Sequence, residues 1–280
     1  MAIFFGPKEV KKFLEINKVH KSLGQNFLID KNVCTKIADF SSYEKGYVIE
    51  IGPGLGNLTQ FLAKKFEKVI TIEIDFRFIP ILNKNLKKFN NIKIVNSDAL
   101  KIDLFDLISK FSNQAKKTSI CANLPYSIAT LLIIKLLELP VSRITVMIQK
   151  ELAFRLLSPP GAKLCGAISV PVWFYSTPKL IFNVSRNCFL PIPNVDSCVV
   201  SFELNKIENI ENKEFLFKIS RISFLHRRKT VFNSLSKGLN IPKSKIICAL
   251  NYLNLDENIR PENLTLSNFL DLSHLLGNFL

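Results

Sequence analysis

From residue 47 onward, short apolar runs alternate with stretches in which apolar side chains recur every three or four positions. Runs of the first kind lie at 47–51, 69–74, 92–95, 119–122 and 143–148. Their length and near-continuous hydrophobicity fit strands buried on both faces. Stretches of the second kind, at 58–66, 76–89 and 128–139 and again from Lys150, read as helices. Strand and helix in repeated alternation predict βαβ units and a parallel sheet covered on both sides. Two later strand-like runs, 180–184 and 198–204, flank a proline-rich loop and read as an antiparallel pair added to that sheet. After residue 204 the pattern changes. A polar linker over 205–213 leads into helical periods at 215–225, 230–235, 243–250 and 267–275. The expected class is α/β: a Rossmann-like sheet domain over 1–205 and a small all-helical domain over 206–280.

Composition adds a partner class. The 280 residues are 48% hydrophobic and 22% charged, enough for a sizeable core without a metal or disulfide staple. Lys and Arg total 38 against 23 acids, a formal charge of +15. Such an excess favours a polyanionic partner through counterion release, although a Lys-, Asn- and Ile-rich composition produces the same number on a merely solvated surface. Six cysteines (34, 121, 165, 188, 198, 248) form no Cys-x-x-Cys pair, and histidines at 20, 226 and 274 show no zinc spacing. Buried free thiols and no metal are expected. The apolar start is too short for a signal peptide, and no uncharged stretch reaches transmembrane length. A cytoplasmic location with no membrane partner follows.

The chemistry begins where the first strand ends, at Glu50-Ile51-Gly52-Pro53-Gly54-Leu55-Gly56-Asn57. A glycine turn there, at Gly52 and Gly54, lets a nucleotide approach the backbone. Glu73, at the end of the second strand, is placed to accept ribose hydroxyls. The dinucleotide fingerprint needs a third glycine at position 57, where Asn57 stands. The spacing departs from the NAD pattern, which disfavours an oxidoreductase. It fits S-adenosylmethionine, which has no pyrophosphate to seat on a helix N-terminus. Asp98, following the third strand, either accepts an adenine amino group in the same crevice or caps the next turn.

Asn123-Leu124-Pro125-Tyr126 follows the fourth strand. Methylating an exocyclic amine is difficult because its lone pair is delocalised into the ring. Two acceptors on its two hydrogens turn the nitrogen toward tetrahedral geometry, and the Asn123 side-chain oxygen and Leu124 carbonyl suit that task. Pro125 fixes the backbone and offers no competing N–H. The Tyr126 ring can stack on the base and favour the cation that develops on nitrogen. No strong base is needed, and what remains is in-line positioning.

The chain resembles the ribosomal RNA adenine dimethyltransferase family of the KsgA/RsmA type. The likeness runs through His20-Lys21-Ser22-Leu23-Gly24-Gln25-Asn26-Phe27-Leu28, the 52–56 turn, Glu73, Asp98 and 123–126. It continues through Gln149-Lys150-Glu151 with Arg155, Phe189-Leu190-Pro191-Ile192-Pro193-Asn194-Val195-Asp196-Ser197, and Arg227-Arg228-Lys229. One segment departs from it. In Pro159-Pro160-Gly161-Ala162-Lys163-Leu164-Cys165-Gly166, Ala162 and Cys165 stand where the family more often has serine and an aromatic residue, a change that could alter a substrate-facing loop.

The resemblance implies a class I methyltransferase sheet and contacts to S-adenosylmethionine from Asn26, Leu28, Gly52, Glu73, Asp98 and Asn123. It implies that Phe189 helps hold an unstacked adenine. It also implies a substrate: two adjacent adenines of 16S RNA in the immature small ribosomal subunit, dimethylated at N6 by a monomer. An Erm-type enzyme acting on 23S RNA shares these motifs. A third reading is a subunit assembly factor for which methylation is a release signal. Basic clusters near 8–21, 84–88, 116–117 and 227–229 are the expected RNA surface, and Arg227, Arg228 and Lys229 of the helical domain are placed to clamp phosphates.

Overall fold

The computed structural model describes residues 4–16, 26–42, 46–111, 117–205, 213–277 and 279. Two compact units result: Met1–Ala153 with Lys179–Leu204, and Phe154–Pro178 with Asn205–Leu280. The expected boundary at 205 thus misses one excursion, because 154–178 belongs with the helical unit.

In chain order the elements are α1 (Pro7–Ile16), β1 (Phe27–Leu28), α2 (Lys31–Ser41), β2 (Tyr47–Ile51), α3 (Thr59–Lys65), β3 (Lys68–Glu73), α4 (Ile79–Leu86), β4 (Ile92–Asn96) and α5 (Leu104–Phe111). Then come β5 (Thr118–Asn123), α6 (Ala129–Leu137), β6 (Arg143–Gln149), α7 (Lys150–Leu157), α8 (Ser169–Tyr175), β7 (Ser176–Val184), β8 (Phe189–Leu190) and β9 (Ser197–Leu204). Four helices close the chain: α9 (Lys213–Leu225), α10 (Val231–Gly238), α11 (Lys243–Tyr252) and α12 (Leu266–Gly277).

The first unit is built on a seven-stranded sheet in the order β4-β3-β2-β5-β6-β9-β7. The five strands from β4 to β6 run parallel, and β9 joins β6 antiparallel with Ile144 opposite Phe202. Chain order reverses between β2 and β5, the point at which open α/β sheets bind ligands beyond the strand ends. Val48 and Val69 face one core layer, shared with Cys34, Leu62 and Phe66. In the two-residue strand β1, Leu28 joins that layer and Phe27 joins a second one with Leu55, Phe78 and Leu82. Successive strand residues point to opposite faces, so β1 and its antiparallel partner β8 stitch the two layers together.

The expected helix over 76–89 starts late. Residues 76–78 form a 3-10 turn capped by Asp75, and α4 begins at Ile79. Pro80 has no N–H to bond the Phe76 carbonyl, so it fits the first turn of α4 but not the interior of a helix begun at 76. The strand pattern from residue 47 left out α1, α2 and β1. It also left out α5, whose period is short, and α8, which is buried on nearly every side and so carries no amphipathic signal.

In the second unit, α9, α10, α11 and α12 pack with α8. The rings of Phe174 and Tyr175 meet Phe217 at 5.5 and 5.6 Å, and the Ser220 hydroxyl donates to the Ala167 carbonyl at 3.1 Å. These contacts draw 154–178 into the helical unit. Of the six cysteines, 34, 121, 165 and 198 are buried and 188 partly so, while Cys248 is exposed on α11. Among the described residues no helix is long and apolar enough to cross a membrane, and no group of three or more His, Cys, Asp or Glu is arranged to hold a metal.

Asn57 shows what replaces the third glycine of the dinucleotide pattern. Its amide donates to the carbonyls of Phe5 (2.9 Å) and Leu28 (2.8 Å) and accepts the N–H of Phe5 (2.9 Å). One side chain thereby clips the N-terminal segment and β1 to the start of α3. Asn57→Ala removes three bonds and strands buried partners, an expected loss of about 2–4 kcal/mol. Denaturant unfolding measures it, and a loss below about 1 kcal/mol would contradict the clip.

Candidate functional site

The crevice lies at the C-terminal ends of β2, β3, β4 and β5, within the first unit. β2 delivers Glu50 and Ile51 and breaks into the glycine turn. Gly52 adopts φ +69° and Gly54 φ +55°, the left-handed region that favours glycine. A Cβ on Gly52 would meet nothing within 4 Å, and Gly52 lines the crevice, so its missing side chain leaves room for a ligand against bare backbone. A Cβ on Gly54 would press on the Phe27 ring at 3.3 Å.

Glu73 holds this turn in place. Its Oε2 accepts the Gly54 N–H at 3.1 Å and its Oε1 the Asp75 N–H at 2.9 Å. Burial pushes the carboxyl above the ordinary carboxylate range, and the two N–H groups pull the other way. Of the two roles expected for Asp98, the cap is formed, and the crevice position that the other needs is occupied. Its Oδ1 caps the following turn by accepting the Leu100 N–H at 2.9 Å, and the residue lines the crevice beside Ser97 and Ala99.

Glu50 is a crevice residue that the sequence reading did not single out. It is 2% exposed, and its Oε2 has no hydrogen-bond partner of ordinary geometry among the described residues. Burial pushes its carboxyl up to about 8; the Thr59 hydroxyl acts weakly against this and the charge of Glu73 adds to it. The signal was present, because a charged residue inside a run buried on both faces needs a reason.

From β5 the chain enters 123–127. Asn123 donates its amide nitrogen to the Asn26 carbonyl at 3.2 Å, which leaves Oδ1 as its acceptor end. Leu124 donates its N–H to Met147 at 3.1 Å, and among the described residues nothing donates to its carbonyl. The Tyr126 hydroxyl shares a 2.8 Å bond with Ser197 of β9, which anchors the ring at the crevice wall. Burial pushes that phenol up, against the Ser197 bond, so it stays protonated near neutral pH. Asn26, Leu28, Gly52, Gly54, Glu73, Asp98 and 123–126 all line one crevice, with Ile72, Phe78, Ile128 and Leu132 as apolar walls. Three acids beside bare backbone and apolar walls fit a nucleoside that carries a cationic tail.

One expected role is corrected. Phe189 is fully buried in the core layer with Leu28 and Cys34 and does not line the crevice. Pairing of β8 with β1 turns its ring inward, so in this conformation it offers no face to a base. Arg227 is exposed, yet its guanidinium donates to the Lys163 carbonyl within the second unit, while Arg228 and Lys229 stay exposed in the turn before α10. The atypical Cys165 is buried, with its thiol against the Glu262 carbonyl at 3.7 Å, so this substitution changes packing and not a substrate face. His20, Lys116 and most of the 20–28 motif lie outside the described residues.

Comparison with known proteins follows this geometry. The sequence model of the family described as ribosomal RNA adenine dimethylase matches residues 16–276. A ribosomal RNA small subunit methyltransferase A from Streptococcus thermophilus is 41% identical over 264 residues, covering 91% of each chain. One of the same name from Listeria monocytogenes is 41% identical over 269 residues, covering 93% of this chain and 91% of its own. Among solved structures, a dimethyladenosine transferase from Plasmodium falciparum superposes with a TM-score of 0.73 at 28% identity, covering 90% of this chain and 98% of that one. The 23S rRNA methyltransferase ErmE gives 0.67 at 24% identity, covering 90% of this chain and all of its own, a likeness that speaks to the fold alone.

The Glu50 carboxyl makes a pH prediction. Folded, it keeps its proton until about pH 8, while unfolded it loses it near 4.5. Between those values the folded state binds the extra proton, so this group's contribution to stability falls as pH rises. Glu50→Gln removes that term. Its unfolding midpoint should gain on the wild type steadily from pH 5 to pH 8, and parallel profiles in differential scanning calorimetry would refute the assignment.

Proposed function

The chain belongs to the ribosomal RNA adenine dimethylase family, and from that premise we propose that it transfers methyl groups from S-adenosylmethionine to N6 of two adjacent adenosines in small-subunit ribosomal RNA, the 16S RNA of the immature subunit. The observation that carries this reading is the pairing of acceptors at 123–124 inside the crevice that holds Glu73 and Asp98. The relatives at 41% identity are named for the small subunit, and this favours it over the 23S alternative.

When bound, S-adenosylmethionine supplies a methyl group made electrophilic by its sulfonium. The protein's part is placement. Glu73 accepts from the ribose, in the orientation that its two backbone bonds impose. Asp98 accepts from the cofactor's adenine amino group, and Asn26 and Leu28 close the crevice from the β1 side. Glu50 sits beneath the glycine turn, where a cationic ligand group favours its ionised form. Opposite, Asn123 Oδ1 and the Leu124 carbonyl would accept hydrogen bonds from the two N–H groups of the target amine and so free its lone pair for methyl transfer. The Tyr126 ring stacks on the target base and faces the growing positive charge. Water takes the proton once the nitrogen is cationic. Phosphates are gripped by exposed cations, among them Arg228 and Lys229.

The test uses immature small subunits from cells lacking this gene, with labelled S-adenosylmethionine. Wild-type protein should label the small-subunit RNA. Asn123→Ala should lower the single-turnover rate by about 10²–10³, as loss of one preorganised polar contact does in other enzymes. An Asn123→Ala rate within about threefold of wild type, against that 10²–10³ benchmark, would remove Asn123 from the mechanism. Arg228→Gln with Lys229→Gln should reduce the slope of log affinity against log salt by about 2 and leave cofactor affinity unchanged. An unaltered slope would place the phosphates elsewhere.

A further inference from the structure

The turn after β4 carries Asp98, and its polar groups are held from two sides. From within, Asp98 Oδ1 accepts the Leu100 N–H, and the Asp98 carbonyl accepts the N–H groups of Lys101 (3.0 Å) and Ile102 (2.9 Å). From without, the carbonyls of Ala99, Leu100 and Ile102 converge on one cation. The Lys135 ammonium donates to them at 3.0, 2.9 and 2.7 Å. An ammonium has three protons, and all three go to this one turn.

Lys135 belongs to α6, the helix that grows directly out of 123–127. Pro125 accepts the Ile128 N–H at 3.2 Å, and Ile128 accepts the Leu132 N–H at 3.0 Å, so the turn and the helix form one bonded run. Positions 128, 132 and 135 fall on a single helical stripe. The first two line the crevice, and the third reaches the 98–102 turn. An aliphatic side chain at 135 would fill the same space and leave three carbonyls without donors, and a shorter polar one would not span the gap.

We infer that Lys135 is a positioning residue that bolts the helix behind the Asn123 turn to the turn bearing Asp98, and so sets the distance between the target amine and the cofactor. This rests on the reading of the crevice as the cofactor site. A general packing role predicts lost stability alone. The positioning role predicts two further effects in protein that remains folded: weaker binding of the adenosine end, because the Asp98 turn loosens, and a slower chemical step at saturation, because methyl and nitrogen fall out of line.

The experiment compares wild type, Lys135→Met and Lys135→Arg, full length, at a temperature well below each unfolding midpoint. Calorimetric titration with S-adenosylmethionine and with S-adenosylhomocysteine should show both dissociation constants about tenfold higher for Lys135→Met. Single-turnover methyl transfer to immature small subunits at saturating cofactor should also fall about tenfold, with RNA affinity unchanged. Lys135→Arg keeps the charge but spreads its N–H donors over a planar fork, so it should recover part of both losses. A folded Lys135→Met protein with wild-type constants and rate overturns the inference. Should Lys135→Met prove insoluble, Lys135→Gln carries the same expectations and the same refutation. Wild-type protein that binds neither compound sinks the functional reading itself, whereas wild-type binding matched by the variant sinks only the role of Lys135.

Discussion

The site hangs on one buried residue. Glu73 ends β3, and its carboxylate takes one N–H from the glycine turn after β2 and one from Asp75. Its own carbonyl accepts the Ser97 N–H at 3.0 Å and the Asn96 amide at 2.7 Å. Three strand ends are thus tied at one residue. A carboxylate removed from water is costly, and these backbone donors offset the cost only while the glycine turn keeps its left-handed path. Turn geometry, ligand clearance at Gly52 and the orientation of the acid are therefore one constraint. The reversal of strand order between β2 and β5 makes the crevice, and Glu73 gives it a fixed wall.

A second acid sharpens the electrostatics. Glu50 and Glu73 are both buried in the crevice, and the charge of Glu73 adds to the cost of ionising Glu50. The ligand-free protein resolves this by keeping Glu50 protonated near neutral pH. In the second unit Arg227, Arg228 and Lys229 are all exposed, and Arg227 also donates to the Lys163 carbonyl.

Much of this was legible in the sequence because the signals were local. The strand ends, the glycine turn, Glu73, Asp98 and Asn123 follow from runs of Val and Ile bounded by turn residues. What was not legible depended on distant partners. The family resemblance assigned Phe189 to the target base, although beside Pro191 and Pro193 it read on its own as a packing residue, and its pairing with β1 does turn the ring into the core. The segment 154–178 looked continuous with the sheet domain, yet Phe174 and Tyr175 pack on Phe217, which follows some forty residues later. Lys135 carried no signal in the sequence, because nothing local says that three carbonyls wait for it. Asn57 was noticed only as a glycine that was missing, although it is the clip that closes the N-terminal segment onto the site.

The central claim concerns a product: two methyl groups on N6 of each of two neighbouring adenosines in small-subunit RNA. Nucleoside mass spectrometry, with fragment mapping of RNA from immature subunits treated with the protein and S-adenosylmethionine, reads it directly. The expected product is N6,N6-dimethyladenosine at two adjacent positions of the small-subunit RNA and none in 23S RNA. Methylation confined to 23S RNA, or a product other than N6-methylated adenosine, would contradict it.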